Sequence, residues 1–254
     1  MSTARRLTNP PASTESNEPI DVSFLCAVLA NLYRKQIAAL PHDSYLREHG
    51  EPRCIKNQVQ TFGWYSSFLP PTGRILDWGC HHAPDSSLLR AAFGNRFTLD
   101  GCDWMPANQY EIFHGFAGLS YAKLDHIVRL PYENNAFDVV LSSGVLGHVA
   151  MDYESLRELH RILKPNGTLV ITYLPNWLSV KEWFLRVIRR KDFHRRLYGL
   201  EETKQLLKRT GFYPIHAGAH TFFGRRALGT WGRFLPGKRL CSTLCFVAKR
   251  VDHL

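Results

Sequence analysis

The 254-residue sequence has no CxxC pair, no long apolar run and no internal repeat. Its six cysteines are scattered, and Cys241 and Cys245 stand apart from other ligand types, so we expect no metal site. Scattered cysteines are typical of reduced thiols, which favours a cytoplasmic protein. No apolar run approaches the ~20 residues that span a bilayer, and the first twenty residues lack the apolar core of a signal peptide.

The first twenty residues and the overall charge narrow the class of protein further. Residues 1–20 are rich in serine, threonine, proline, asparagine and glutamate, so we expect a disordered tail there. Lysines and arginines number 32 against 22 aspartates and glutamates, which gives a formal net charge of +10. This excess favours an acidic partner, either nucleic acid or an anionic membrane surface, although many basic enzymes bind neither.

Two helical segments follow the tail and form a predicted N-terminal helical cap over residues 21–70. Residues 21–48 carry apolar side chains at helical spacing behind Asp21, which can cap the start, until Pro41 interrupts the run. Residues 56–68 form the second segment, which ends before a pair of prolines. We expect this cap to pack over the mouth of the domain that follows.

From residue 73 onward, strands alternate with helices, which predicts a parallel, doubly wound sheet. Strands are predicted at residues 74–78, 97–102, 120–124, 137–141 and 168–173, and helices at 86–93, from about 106, at 153–163 and at 200–210. The last two strands, at residues 213–217 and 243–248, have no helix between them, which favours an antiparallel pair at the sheet edge. The expected fold over residues 71–254 is an α/β, Rossmann-like domain whose seven-stranded sheet is mostly parallel with an antiparallel last strand.

The turn after the first strand is the most informative segment of the chain. Asp77 and Gly79 follow this strand, and Pro84 suits the first position of the next helix. A glycine turn between a strand and a helix brings backbone N–H groups close to a charged small molecule. The two later positions at which a nucleotide-binding loop has glycine hold His81 and Ala83, which tolerate a positive φ less well. We therefore expect a binding site that is altered rather than abolished.

Polar residues also stand at the ends of the later strands. Asp103 closes the second strand, Asp125 the third and Ser142 the fourth. Ligands of open α/β sheets bind at the carboxyl ends of the strands, so these side chains should converge. Asp103 can accept two hydroxyl hydrogen bonds from a ribose, Trp104 offers a flat face to a purine, and Asp125 can accept from an exocyclic amine. Taken singly, either aspartate is also an ordinary turn residue.

Further motifs carry a resemblance to a known family. They are LPY at residues 130–132, NAFDVV at 135–140, VLGHV at 145–149, and the run from Leu156 to LKPNG at 163–167. In the order and spacing of these motifs, over about residues 73–217, the chain resembles a class I S-adenosylmethionine-dependent methyltransferase. Within that class it is similar to the type 11 group, which includes the quinone-biosynthesis methyltransferases.

The resemblance implies that S-adenosylmethionine is the cofactor, and it assigns positions around it. The turn after the first strand would hold the methionine end of the cofactor, through Asp77, Gly79, Cys80 and His81. The later strand ends would hold the ribose at Asp103 and the adenine at Trp104, Asp125 and His126, and would border the cofactor and substrate at Ser142.

The resemblance also implies transfer of an activated methyl group, which needs mainly the alignment of a nucleophile. A base is helpful but optional. His148 matches a histidine that is frequent at this place in the family; alternatively, it caps or orients its loop. His81 and His82 replace small residues beside the cofactor and are further candidates, although we expect them to be solvent-facing loop residues. The expected reaction is O-methylation of a small-molecule or lipid-linked acceptor.

Basic and aromatic residues concentrate in an insertion at about residues 176–198 and in a loop at about residues 219–240. A basic amphipathic helix with tryptophan and phenylalanine suits an anionic lipid surface, which predicts peripheral contact with a membrane. The alternative is a lid whose apolar face covers the active site. RNA is less well supported as a partner, because no RNA-binding module is recognisable.

Two other classes of protein stay open. A catalytically inactive relative would keep the fold as a cofactor-binding or interaction protein. An NAD-dependent dehydrogenase is disfavoured, because the GxGxxG glycines are absent and the last two strands predict an antiparallel pair.

Overall fold

The computed structural model describes residues 20–106, 108–179, 194–220 and 243–252. Residues 1–19 of the expected disordered tail lie outside the described residues. So do most of the insertion at 176–198 and nearly all of the basic loop at 219–240.

Three helices form the N-terminal cap: α1 (Val22–Ala39), α2 (Ser44–His49) and α3 (Pro52–Ser66). The break expected at Pro41 is present, because the backbone leaves the helix just before this residue and restarts at a new cap. Asp43 provides that cap by accepting the backbone N–H of Leu46 at 3.0 Å. The third helix begins earlier than predicted, since Pro52 occupies its first turn, where a missing N–H costs nothing.

Seven strands form one sheet in the order β3-β2-β1-β4-β5-β7-β6. Their bounds are β1 (Gly73–Trp78), β2 (Phe97–Asp103), β3 (Ser120–Lys123), β4 (Phe137–Ser143), β5 (Leu163–Pro175), β6 (Phe212–His220) and β7 (Thr243–Arg250). The first five strands pair in parallel, whereas β7 runs antiparallel to both β5 and β6. The predicted Rossmann-like sheet with an antiparallel last strand is confirmed, and so is the antiparallel pair at its edge.

Among the described residues, the remaining helices are α4 (Pro84–Phe93), α5 (Glu111–Ala117), α6 (Asp152–Ile162) and α7 (Leu200–Arg209), with a 3-10 turn at Gly94–Arg96. The helix predicted from about residue 106 begins only at Glu111. Before it, the chain forms a turn in which the hydroxyl of Tyr121 donates to the carbonyl of Met105 at 2.6 Å. No helix within the described residues is both long enough and apolar enough to cross a bilayer.

Two apolar layers cover opposite faces of the sheet, because successive strand residues point to opposite sides. Leu76 belongs to the layer that contains α6 and α7, through Leu159 and Leu207. Its neighbour Ile75 belongs to the layer that contains the cap helices and α4, through residues such as Phe62. The cap therefore packs on one face of the domain, next to the loop that joins β1 to α4.

Candidate functional site

The loop between β1 and α4 keeps a glycine-type backbone at positions that are not glycine. The φ angles are 67° at Gly79, 48° at His81 and 59° at Ala83. All three lie in the left-handed region, which costs a non-glycine residue roughly 1–2 kcal/mol. The departure from the nucleotide-binding pattern is therefore one of side chains, while the backbone conformation expected of glycine is retained.

Hydrogen bonds to the loop backbone offset this strain. The N–H of Gly79 donates to the carbonyl of Cys102 at 2.8 Å, and the N–H of Ala83 donates to Cys80 at 2.6 Å. At His81, the N–H donates to Oδ2 of Asp103 at 2.8 Å, and the carbonyl accepts from Nε2 of His114 at 2.8 Å. The second strand thus fixes the loop through both its backbone and its terminal acid.

Asp103 and Trp104 lie together at the end of β2. Oδ1 of Asp103 accepts the N–H of Trp104 at 2.6 Å, so each carboxylate oxygen holds one backbone donor. Each oxygen has a second acceptor position, so the carboxylate can still receive two hydroxyl hydrogen bonds. Trp104 leaves 49% of its surface exposed beside it. The pair therefore keeps the acceptors and the flat face that a nucleoside needs.

Asp125 and His126 lie in the exposed turn after β3, the neighbouring strand. Nδ1 of His126 accepts the backbone N–H groups of Val128 and Arg129 at 3.0 and 2.8 Å, so its ring is fixed by its own turn. A shallow depression of about 360 Å³ lies between Asp125, His126, Arg129, Leu130 and Pro131. The structure thus brings both residues to the same sheet edge as Asp103.

Two buried carboxylates lie below the loop, at the end of β1 and in the first turn of α4. Asp77 accepts from the hydroxyl of Ser86 at 2.7 Å, and Asp85 accepts from the hydroxyl of Tyr65 at 2.7 Å. Burial, reinforced by the neighbouring Asp85, raises the pKa of Asp77 to about 7, and burial also raises the pKa of Asp85. Within the described residues, no lysine or arginine forms an ion pair with either aspartate or with Asp103.

The loop packs closely against Val145 at Gly79 and against β2 at Cys80. A Cβ at Gly79 would come within 2.6 Å of the side chain of Val145, and a Cβ at Gly101 would come within 2.9 Å of Sγ of Cys80. Cys80 is itself buried. Gly79 therefore permits a close backbone approach, and the Cys80 side chain packs against β2.

The strand-end residue Ser142 and the loop residue His148 lie beyond β4. Ser142 is 1% exposed, and its Oγ has no hydrogen-bond partner among the described residues. His148 is exposed, with its ring centroid 4.8 Å from that of His194. The backbone N–H of Arg195 donates to the carbonyl of Gly147 at 3.0 Å, so the end of the insertion packs on the His148 loop. His194 is a candidate that the sequence pattern did not indicate.

The expectation that His81 and His82 face solvent is wrong. His82 is 1% exposed, and its Nε2 lies 2.7 Å from the hydroxyl of Tyr33 on α1. The side chain of His81 is partly buried, and its Nε2 lies 3.0 Å from the hydroxyl of Tyr110. The rings of Tyr45 and His81 also approach each other to 4.5 Å between centroids. The cap helices cover the loop, and their tyrosines carried no sequence signal of this role.

Comparison with known proteins identifies the family. The family model described as a methyltransferase domain matches residues 46–217, which is more than half of the chain. The chain belongs to the class I S-adenosylmethionine-dependent methyltransferases. The resemblance carried by residues 130–167 is thereby confirmed, and so is the expectation of a methyltransferase at the level of the family.

Curated relatives and solved structures support the same family. Demethylmenaquinone methyltransferases of two Staphylococcus epidermidis strains are 32% identical over 100 residues, which cover 38% of this chain and 41% of theirs. The chain therefore spans well under half the length of these relatives.

Among solved structures, a methyltransferase of Thermotoga maritima superposes with a TM-score of 0.56 at 17% identity, covering 89% of this chain and 99% of that one. One of Methanosarcina mazei superposes with a TM-score of 0.54 at 14% identity, covering 74% of this chain and 97% of that one. At these identities the similarity shows the fold.

Proposed function

We propose that this protein transfers the methyl group of S-adenosylmethionine to a small-molecule or lipid-linked acceptor, by O-methylation. The observation that carries the proposal is the convergence of Asp77, Asp85 and Asp103 at the loop without an ion-paired lysine or arginine among the described residues. The sulfonium and ammonium groups of this cofactor are cations, which such a site favours. A dinucleotide would bring phosphates instead, and no lysine or arginine among the described residues pairs with these aspartates to receive them, which disfavours a dehydrogenase.

The residues at the strand ends fit the parts of this cofactor. We assign Asp103 to the ribose hydroxyls and Trp104 to a face of the adenine, with Asp125 and His126 at the adenine edge. We assign the methionine end to the loop itself, through Asp77, Gly79, Cys80 and His81. Ser142 borders both cofactor and acceptor, and its buried hydroxyl is available as a donor. When bound, the cofactor supplies a methyl group that is already activated on sulfur.

The chain itself has two tasks in such a reaction. The cap and the loop bind the cofactor and exclude water, which is the alignment that methyl transfer needs. His148 is the proposed base: one imidazole nitrogen would accept the hydroxyl proton of the acceptor, and its exposed position allows the proton to pass to solvent.

Ligand-induced thermal shifts test the cofactor assignment. We expect S-adenosylmethionine and S-adenosylhomocysteine to raise the melting temperature and NAD to leave it unchanged. Stabilisation by NAD alone would contradict the proposal. Stabilisation by none of the three would favour a relative that has lost its cofactor.

The acceptor is open to a direct test. The curated relatives act, by their names, on demethylmenaquinone, which supports this compound as a first acceptor to assay. Transfer of labelled methyl from S-adenosylmethionine to a hydroxyl of the reduced form of demethylmenaquinone is the expected result. A methyl group on a ring carbon of the product would support this acceptor and contradict O-methylation. The proposed membrane contact of the basic segments predicts co-sedimentation with phosphatidylglycerol vesicles and none with phosphatidylcholine vesicles.

A second candidate function is a catalytically inactive, cofactor-binding relative. The observation that favours it is the replacement of loop glycines by His81 and Ala83, which puts side chains where the family has none. Binding of S-adenosylmethionine without methyl transfer to any acceptor in a panel of hydroxyl compounds would support this candidate.

A further inference from the structure

Four side chains join the helical cap to the loop through direct hydrogen bonds. Nε2 of Gln58, on α3, donates to the hydroxyl of Tyr33, on α1, at 2.9 Å. That hydroxyl lies 2.7 Å from Nε2 of His82. The Nδ1 atoms of His82 and His81 lie 3.1 Å apart. Two cap helices thus connect to His82 through one tyrosine hydroxyl, and His82 contacts its neighbour His81.

The chain of hydrogen bonds continues from His81 to the second cap helix. Nε2 of His81 lies 3.0 Å from the hydroxyl of Tyr110, which donates to Oδ2 of Asp43 at 3.2 Å. Asp43 is the residue that caps α2. The two loop histidines therefore connect, directly or through one hydroxyl, to all three cap helices.

One arrangement of protons satisfies every link of this chain. The Asp43 carboxylate can only accept, so the Tyr110 proton points to it and Nε2 of His81 must donate to Tyr110. Nδ1 of His81 then accepts from Nδ1 of His82, and Nε2 of His82 accepts the proton of Tyr33. Both rings are thus neutral, each with one proton, on opposite nitrogens. A second proton on either ring would find an acceptor only if the Tyr33 proton turned from His82 to Oε1 of Gln58, 3.2 Å away.

The surroundings favour these neutral rings. Burial lowers the pKa of His81, and burial holds the pKa of His82 well below its usual range. The charged and titratable groups that face the pair are His49 on α2, His114 on α5, the hydroxyls of Tyr33, Tyr45 and Tyr110, and the carboxylates Asp43 and Asp103.

We propose that His81 and His82 are positioning residues. They form a latch, which holds the helical cap on the loop between β1 and α4 and keeps the left-handed backbone of this loop ready to bind S-adenosylmethionine. The small residues that the family has at these positions could not reach the cap. The effect on binding rests on the proposed function, whereas the latch is a property of the protein without ligand. The pair acts on the cofactor through the loop backbone.

Replacing His81 by glycine distinguishes the latch from simple backbone strain, because the two roles predict changes of opposite sign in the melting temperature. If His81 is only a strained residue, His81→Gly relieves its positive φ and raises the melting temperature. If it is part of the latch, the melting temperature falls by roughly 2–6 °C and amide exchange in α1–α3 becomes about tenfold faster. Asn166→Gly is the matched control, since Asn166 has φ of 61° at an exposed position near the start of β5.

Tyr33→Phe provides a second test that keeps the buried ring and removes only the hydroxyl. We expect faster exchange in α1 and α3. In the double variant with His81→Gly, Tyr33→Phe should add little to the increase in exchange rate, since both changes break the same chain of hydrogen bonds. Fully additive effects, or an unchanged exchange rate in both single variants, would overturn the latch.

Calorimetric titration with S-adenosylmethionine tests the link to the cofactor. We expect His81→Gly to bind it about tenfold more weakly than the unaltered protein, and Asn166→Gly to bind it equally well. If exchange is faster but affinity is unchanged, the latch stands and its role in binding is wrong. If the unaltered protein binds no S-adenosylmethionine, the proposed function fails while the exchange result still decides the latch.

Discussion

The carboxylate of Asp103 accepts the backbone N–H of His81 at 2.8 Å, so the acid assigned to the ribose also fixes the loop. Substitution at this position therefore has two separable effects. One is on the stability of the loop, and the other is on the recognition of a nucleoside.

Asp103→Ala should abolish the thermal shift by S-adenosylmethionine. The loss of two backbone hydrogen bonds should also lower the free energy of unfolding by about 1–3 kcal/mol. Thermal shift and urea unfolding measure the two effects. Asp252→Ala, at an exposed ion pair with Arg250, is the control and should keep the shift. A full shift in Asp103→Ala would remove this residue from the cofactor site.

Gly79→Ala should destabilise the protein more than Gly94→Ala does. Both glycines have a positive φ, but a Cβ at Gly79 meets Val145 at 2.6 Å, whereas nothing lies within 4 Å of a Cβ at Gly94. We expect about 1–2 kcal/mol at Gly94 and about 1–3 kcal/mol more at Gly79, from urea unfolding. Adding Val145→Ala should recover part of the difference; equal losses at both glycines would show that the contact is not restrictive.

Tyr65→Phe removes the hydroxyl that donates to the buried Asp85 carboxyl. A buried carboxyl that loses its donor is less well compensated, so we expect a loss of about 1.5–3 kcal/mol in the free energy of unfolding. Tyr153→Phe is the matched control, because Tyr153 is 39% exposed and should change stability by less than about 0.5 kcal/mol. Equal stability of the two variants would mean that water replaces the Tyr65 hydroxyl.

The raised pKa of Asp77 predicts a pH dependence of stability. Burial and the nearby Asp85 raise this pKa to about 7 in the folded protein. The native state then binds the extra proton between about pH 4 and pH 7, so the contribution of Asp77 to stability falls as pH rises through this window.

Asp77→Asn should remove this dependence. The free energy of unfolding of the variant, relative to the unaltered protein, should increase from pH 4 to pH 7 by at most about 1.4 kcal/mol per unit. Urea unfolding across that range measures it, with Glu133→Gln at an exposed loop position as control. A constant difference across the range would exclude a proton on Asp77.

His148→Ala tests the proposed base. The residue is exposed, so its loss should change stability by less than about 0.5 kcal/mol. If His148 takes the proton of the methyl acceptor, kcat should fall about 10²–10⁴-fold in the variant. The decrease in rate that protonation of an imidazole causes at low pH should also disappear. His42→Ala, at an exposed position between α1 and α2, should leave the rate unchanged. An unaltered pH profile in His148→Ala would leave His148 with the alternative role of orienting its loop.

The sheet and its strand-end residues could be predicted from the sequence because their signals are local. The run at residues 139–141 is apolar and buried on both faces, which is typical of a covered parallel strand. Once the strands are in order, topology places Asp103 and Ser142 at one edge. The assignments of Asp77, Gly79, Cys80, His81, Trp104, Asp125 and His126 to a cofactor, and the domain boundaries at residues 20 and 70, stay predictions.

The contacts between the cap and the loop could not be predicted, because they depend on how distant elements dock. A helical pattern shows that α1 has a buried face, but it does not show that Tyr33 will meet His82. The polarity of His81 and His82 predicted exposure, whereas docking of the cap covers both rings. Asp85 and Tyr65 were missed for the same reason: each partner is 20 residues from the other in sequence.

The position of β7 between β5 and β6 implies that this sheet is not completed in the order in which its strands occur along the chain. β6 pairs with β7, so it can join the sheet only together with the later strand or after that strand has docked on β5. That docking brings Thr168 beside Lys249, which closes a long loop at a considerable entropic cost. The five parallel strands can associate earlier, and the antiparallel edge should be a late, slow step of folding.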